Sequence, residues 1–136
     1  MYLTYTDEQC AFRDRLRAYF AELMTRERVK SLAEGELEGP VYRQLIRQLG
    51  QDGWLGLSWP AEYGGQGRDL LDQYIFFDES QRAGVPVPFL TVNTIGPTIM
   101  AFGTEEQKAF FLPRIQQGEL HFSIGYSEPG AGTDLA

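Results

Sequence analysis

"LHFSIGYSEPGAGTDLA", Leu120–Ala136, breaks with everything that precedes it. In its first eight residues apolar Leu120, Phe122, Ile124 and Tyr126 alternate with His121, Ser123, Gly125 and Ser127. A period of two predicts a strand with one buried face and one face of small or polar groups, open to a flat ligand. A lone strand has no partner for its backbone groups, so a sheet is expected to follow it. The next stretch, "SEPGAGTD", crowds a proline, two glycines, two alcohols and two acids into a tight polar turn. Gly130 and Gly132 can take positive φ and line up successive N–H groups into a concavity for anionic or carbonyl oxygens. The hydroxyls of Ser127 and Thr133 stand on either side. An ordinary strand-to-loop turn has the same composition and needs no ligand, so the residues alone leave both readings open. No lysine follows the glycines as in a P-loop, and neither G-x-G-x-x-G nor G-x-S-x-G is present.

Upstream of this stretch the periodicity is helical. Thr6 with Gln9 reads as a capping box opening a helix to about Leu32, whose stripe is Phe12, Leu16, Tyr19, Phe20 and Leu23. "EGELEGP" is a hinge, and Pro40 opens a second helix burying Tyr42, Leu45, Ile46 and Leu49. "GWLGLSWPAEYGGQG", 53–67, is too rich in glycine and proline for regular structure. Its Trp54, Trp59 and Tyr63 predict a packed loop. A third helix, Asp69 to Ala83, carries Leu71, Tyr74, Ile75 and Phe77. A fourth runs from about Thr91 to Phe102, with a kink or interruption expected at Pro97. "TEEQ", 104–107, is a second capping box and starts a fifth helix with an internal Pro113. The fold class is therefore all-α: a bundle of about five helices, then the first strand of a truncated β domain. The boundary is drawn between 1–118 and 119–136.

With 136 residues, 43% hydrophobic and 23% charged, the chain can bury a core and is not of disordered composition. Its net charge of −7 argues against nucleic acid as a partner, because phosphate backbones call for the opposite sign. The lone Cys10 excludes an internal disulfide and a multi-cysteine metal site. The sole histidine, His121, has no second ligand at metal spacing. No signal peptide is evident at the start and no apolar run spans a bilayer, so a cytoplasmic location is expected.

Three stretches in order carry a family resemblance. "GYSEPGAGTD" is similar to the signature of the FAD-dependent acyl-CoA dehydrogenases, an alcohol residue followed by Glu-Pro-Gly-Ala-Gly-Ser/Thr-Asp. The loop at 53–67 and "FGTEEQKAFFLPRIQQGEL" resemble two further segments of that family. The resemblance implies a helical N-terminal domain, a middle β domain beginning at the predicted strand, and a C-terminal helical bundle. It also implies removal of two hydrogens across the α,β carbons of an acyl-CoA thioester, with FAD accepting the hydride. The family's catalytic glutamate lies far downstream, so no catalytic residue is assigned here. Glu62, Glu79 and Glu128 do not match that base.

Carried over position by position, the resemblance places flavin contacts at Ile124, Tyr126, Ser127, Gly132 and Thr133. Thr133 would also face the CoA portion of the substrate. The acyl pocket would be lined around Leu90 to Pro97, with Thr94 as a candidate; the alternative is that Thr94 only packs its helix. Ile124 and Tyr126 depart from the family's usual residues at the flavin edge. "GYSEPGAGTDLA" most resembles the actinobacterial branch that degrades steroid side chains or other bulky acyl-CoAs. An electron-transfer acceptor protein and a homo- or hetero-tetramer are the implied partners. A helical partner subunit that binds protein and no flavin is the alternative.

Overall fold

The computed structural model describes residues 4–34, 39–125 and 127–132. Among these residues six α-helices follow one another: α1 (Asp7–Leu23), α2 (Arg26–Ala33), α3 (Pro40–Gln51), α4 (Leu70–Arg82), α5 (Gly96–Phe102) and α6 (Glu105–Gln116). The all-α class holds, and both capping boxes form. Thr6 with Gln9 opens α1, and Thr104 with Gln107 opens α6, each pair satisfying two free donors at a helix start.

One helix predicted over Thr6 to Leu32 is two. Thr25 takes an extended backbone, and its hydroxyl accepts from the Arg28 N–H at 3.3 Å, which starts α2 afresh. Arg28 in turn donates from Nη1 to the Leu23 carbonyl at 2.7 Å, closing the end of α1. A cap in the middle of an otherwise periodic run overrides the period.

The main core lies between α1, α3 and α4. Phe12, Leu16, Phe20 and Leu23 of α1 meet Leu45, Ile46 and Leu49 of α3 and Ile75 and Phe76 of α4. Trp54 stacks on Phe76 with ring centroids 6.0 Å apart and planes 9° apart, so the loop at 53–67 is packed as its aromatics require. The α4 stripe differs from the expected one. Leu71 and Tyr74 are exposed, and the buried face is Gln73, Ile75, Phe76, Glu79 and Ser80. Of the expected stripe Ile75 is buried and Phe77 packs partly against the core, while buried polar side chains take the inward places expected for Leu71 and Tyr74. Glu79, 4% exposed, accepts two hydrogen bonds of 2.8 Å from the Arg17 guanidinium of α1, and Gln73 donates to Asn93 at 2.9 Å.

A second, smaller cluster joins Trp59, Leu112 and Ile115, with Ile99, Phe111, Leu120 and Phe122 packed against it. It ties the loop, α5 and α6 to the start of the extended segment. The chain enters that segment through Gly118 at φ 69°, a left-handed turn that ends α6. There is no ladder among the described residues beyond it. The predicted strand is not formed among them: no secondary structure is assigned from Leu120 to Gly125, and the one bridge among the described residues pairs Glu128 with Ala131 inside the turn. The alternation is visible at its start: Leu120 and Phe122 pack inward while His121 and Ser123 are exposed. Ile124 is 46% exposed, since no second layer covers it among the described residues.

Candidate flavin and acyl-CoA face

The site is built where the fourth predicted helix meets the extended segment. Residues 89–102 form one helical path, but Thr91–Ile95 is a π turn, and α5 continues from it. Pro97 supplies the reason. The Gly96 N–H donates to the Thr91 carbonyl five residues back. In that register the next carbonyl, of Val92, would accept from residue 97, which as proline has no N–H. The Trp59 indole Nε1–H takes its place at 3.1 Å, and Trp59 is 2% exposed. The expected interruption at Pro97 is therefore a widened turn, capped from outside by a tryptophan.

Within this turn Thr91 and Val92 are buried while Thr94 is exposed, its carbonyl accepting from the Thr98 hydroxyl at 2.7 Å. The Thr91 hydroxyl reaches across to the extended segment. The Phe122 N–H donates to Thr91 Oγ1 at 2.9 Å, and the same hydroxyl lies 3.4 Å from the Phe122 carbonyl. Beside it, the Gln73 amide spans from α4 to Asn93 of the turn, leaving Gln73 Oε1 buried without a protein partner. Neither Thr91 nor Gln73 was singled out in the sequence. The available signal was a hydroxyl residue on the helical path six positions before an internal proline.

Two of the sequence-predicted flavin residues come together. The Glu128 N–H donates to the Ala131 carbonyl at 2.7 Å, and the Ala131 N–H returns to Glu128 at 3.2 Å, closing the turn. This closure faces Ser127 toward Gly132: a methyl at Gly132 would sit 3.6 Å from Ser127 Oγ. Neither Gly130 nor Gly132 takes positive φ, so the concavity of left-handed glycines expected from composition is replaced by this hydrogen-bonded turn. Tyr126 and Thr133 lie outside the described residues. Ile124 and Thr94 are both exposed, and the link between their elements runs through Thr91.

Residues Ser123–Gly125 and Ser127–Ala131 present exposed main chain, and a methyl placed on Gly125 or Gly130 would meet nothing within 4 Å. Among the described residues no cluster of three or more His, Cys, Asp or Glu side chains could hold a metal ion. No helix there is long and apolar enough to cross a membrane.

Residues 6–119 match the family model described as "Acyl-CoA dehydrogenase, N-terminal domain". The chain belongs to the acyl-CoA dehydrogenase family. The resemblance read from the three motifs is thereby shown, and the family is one of flavoprotein oxidoreductases of lipid β-oxidation. Acyl-CoA dehydrogenase FadE26 of Mycobacterium tuberculosis is 63% identical over all of this chain and 35% of its own length. Among solved structures, the ChsE4-ChsE5 complex from Mycobacterium tuberculosis superposes with a TM-score of 0.91 at 62% identity, covering 99% of this chain and 34% of that one. The Tcur3481-Tcur3483 steroid ACAD superposes equally, with a TM-score of 0.91, at 53% identity over 99% of this chain and 35% of the other. The chain thus spans about a third of the length of the relatives it matches.

His121 adds a pH dependence at the root of the segment. It lies against the Tyr42 ring, 5.8 Å between centroids, and the partial desolvation on that side lowers its pKa below the ordinary value although the residue keeps an exposed side. Between the lowered folded pKa and the unfolded value of about 6.5, the unfolded chain binds a proton that the folded chain does not. Stability is therefore full above about pH 6.5 and falls as pH drops through that value. Urea midpoints measured across this range should show the fall, and His121→Gln should remove the part due to this residue. An unchanged slope in the variant would assign the dependence to other groups.

Proposed function

We propose that this chain forms the flavin- and acyl-facing N-terminal part of an FAD-dependent acyl-CoA dehydrogenase acting on a bulky, steroid-type acyl thioester. The observation that carries the reading is the hydrogen bond that ties Phe122, at the head of the segment leading to the "SEPGAG" turn, to Thr91 of the π turn, in a chain 53–63% identical to a steroid ACAD and to FadE26. When bound, the flavin would accept the hydride from the β carbon of the thioester. Ile124, Ser127 and Gly132, with Tyr126 and Thr133, would hold its ring edge and phosphates. Thr133 would also meet the CoA portion, and Thr94 would line the acyl channel.

No residue of this chain is assigned as the base that removes the α proton. The family's glutamate is expected downstream of Ala136, and these residues by themselves are expected to be inactive. Partnership in a hetero-tetramer is supported by the ChsE4-ChsE5 complex as the matching structure. It is also supported by exposed apolar side chains on α4 and at the start of the next helical path: Leu70, Leu71, Tyr74 and Phe89 are each at least 42% exposed. An electron-transfer protein would reoxidise the flavin, and a cytoplasmic location goes with this reading.

The deciding experiment is the visible absorption spectrum of the gene-encoded protein, co-expressed with any adjacent homologue. A steroid side-chain acyl-CoA would then be added anaerobically. A flavin band bleached by that thioester, and poorly by a straight-chain one, is the expected result. A colourless protein that co-purifies with a coloured homologue would overturn the catalytic reading in favour of a flavin-free partner subunit.

A further inference from the structure

We infer that Thr91 is a positioning residue, whose buried hydroxyl latches the main chain of Phe122 to the π turn and so fixes the flavin-facing segment against the acyl-facing helix. The inference rests on the function proposed above. Thr91 is 1% exposed, so its hydroxyl needs partners inside the protein. A threonine within a helix ordinarily returns its hydroxyl to a carbonyl three or four residues back. Here it is turned outward, to a residue 31 positions along the chain.

A hydroxyl both accepts and donates, and Thr91 has both groups of one residue in reach: the Phe122 N–H at 2.9 Å and the Phe122 carbonyl at 3.4 Å. These are the two groups a neighbouring strand would engage. Among the described residues no strand does so, and the side-chain latch stands in for a ladder at this one residue. The Phe122 ring completes the hold by packing on Phe111, 5.6 Å between centroids.

The position of the latch gives it consequences. Ile124 follows Phe122 by two residues, about 7 Å of extended chain. Thr94 follows Thr91 within the same π turn. Any drift of Phe122 is passed to Ile124 and Ser127 on one side while Thr94 stays with its helix on the other. Flavin and acyl chain would then lose alignment, and a misplacement of about 1 Å can cost about a hundredfold in rate. Thr91 is the first residue of the widened turn, its carbonyl accepting from Gly96 while its hydroxyl holds Phe122.

The test compares Thr91→Val, Thr91→Ala and Thr91→Ser in the gene-encoded holoprotein. Valine keeps the volume and loses the hydroxyl, and serine keeps the hydroxyl. Should the valine variant fail to fold, alanine against serine still isolates the oxygen atom. Without the hydroxyl, kcat should fall by roughly ten- to a hundredfold, with acyl-CoA KM within about twofold. FAD affinity should weaken on the order of tenfold, and serine should restore most of both. An independent readout, taken on flavin-free protein, is amide exchange at Phe122, which should quicken in valine and alanine and not in serine.

Unchanged exchange at Phe122 would overturn the latch whatever the flavin does. Faster exchange with unaltered FAD affinity and kcat would overturn the positioning role. If the unmutated protein neither holds flavin nor oxidises a thioester, the proposed function falls and the positioning role with it; the exchange data then report on the hydrogen bond alone.

Discussion

Trp59→Ala is expected to lower the unfolding free energy by about 3–5 kcal/mol, the usual cost of removing a buried large aromatic ring. Urea denaturation should show it as a shift of midpoint. Three losses coincide there. The ring is 2% exposed and anchors the smaller cluster with Leu112 and Ile115. It also fills the space beside Gly96, where an added methyl would come within 2.7 Å of Trp59 Cη2. Finally, its indole N–H is the donor to the Val92 carbonyl that Pro97 cannot serve.

The last loss can be isolated. Trp59→Phe keeps most of the ring and leaves the Val92 carbonyl without its donor, for a cost of about 1–3 kcal/mol. Pro97→Ala returns an N–H to the helix. If the indole compensates for the proline, the double variant Trp59→Phe with Pro97→Ala will be more stable than the sum of the singles. Strict additivity would mean that the two residues do not share the Val92 carbonyl.

Much of this arrangement was legible in the sequence because it rests on local chemistry. Capping boxes at Thr6 and Thr104, the proline at the start of α3 and the three-four spacing of Phe12, Leu16 and Phe20 each specify a local conformation without help from distant residues. Pro97 announced an interruption, though not its form, since a kink, a break and a π turn all accommodate a missing N–H. The choice among them depends on Trp59, 38 residues away and in a loop with no period of its own.

The α4 face was legible only in part, at Ile75 and Phe77, for a related reason. Leu71 and Tyr74 are more apolar than Gln73 and Glu79, yet the polar pair is buried: Arg17 of α1 holds Glu79 with two hydrogen bonds, and Asn93 accepts from the Gln73 amide. Pairing across the fold decides which residues go inside, and it leaves no trace in the local pattern. The candidate site divides in the same way. The alternation of Leu120 and Phe122 and the turn at 128–131 could be read directly, whereas the hydroxyl of Thr91 that holds them could not.

The second large effect is expected at the crossing of α3 with the end of α6, where two glycines let backbones meet without side chains between them. A methyl on Gly50 would lie 2.5 Å from the Gln117 carbonyl oxygen and 2.7 Å from that of Gln116. One on Gly118 would lie 2.7 Å from the Ile46 carbonyl carbon, and Gly118 is in addition held at φ 69°. These neighbours are main chain within or at the ends of helices, so no side chain can swing aside, and the helices themselves must part. Overpacking of this kind costs about 1–3 kcal/mol. At Gly118 a left-handed conformation adds roughly 1–2 kcal/mol for any residue with a Cβ. Gly118→Val should therefore be the more damaging, and Gly50→Ala the cleaner measure of the crossing alone. Both should lower the urea midpoint and speed amide exchange at Leu120 and Phe122, whose N–H groups donate to the Arg114 carbonyl and to Thr91 Oγ1 in the segment whose starting point this crossing fixes. If Gly50→Ala loses stability while exchange at these two amides stays as slow as before, the contact holds the helices together but does not place the chain after Gly118, and Thr91 with the Trp59 cluster must place it unaided.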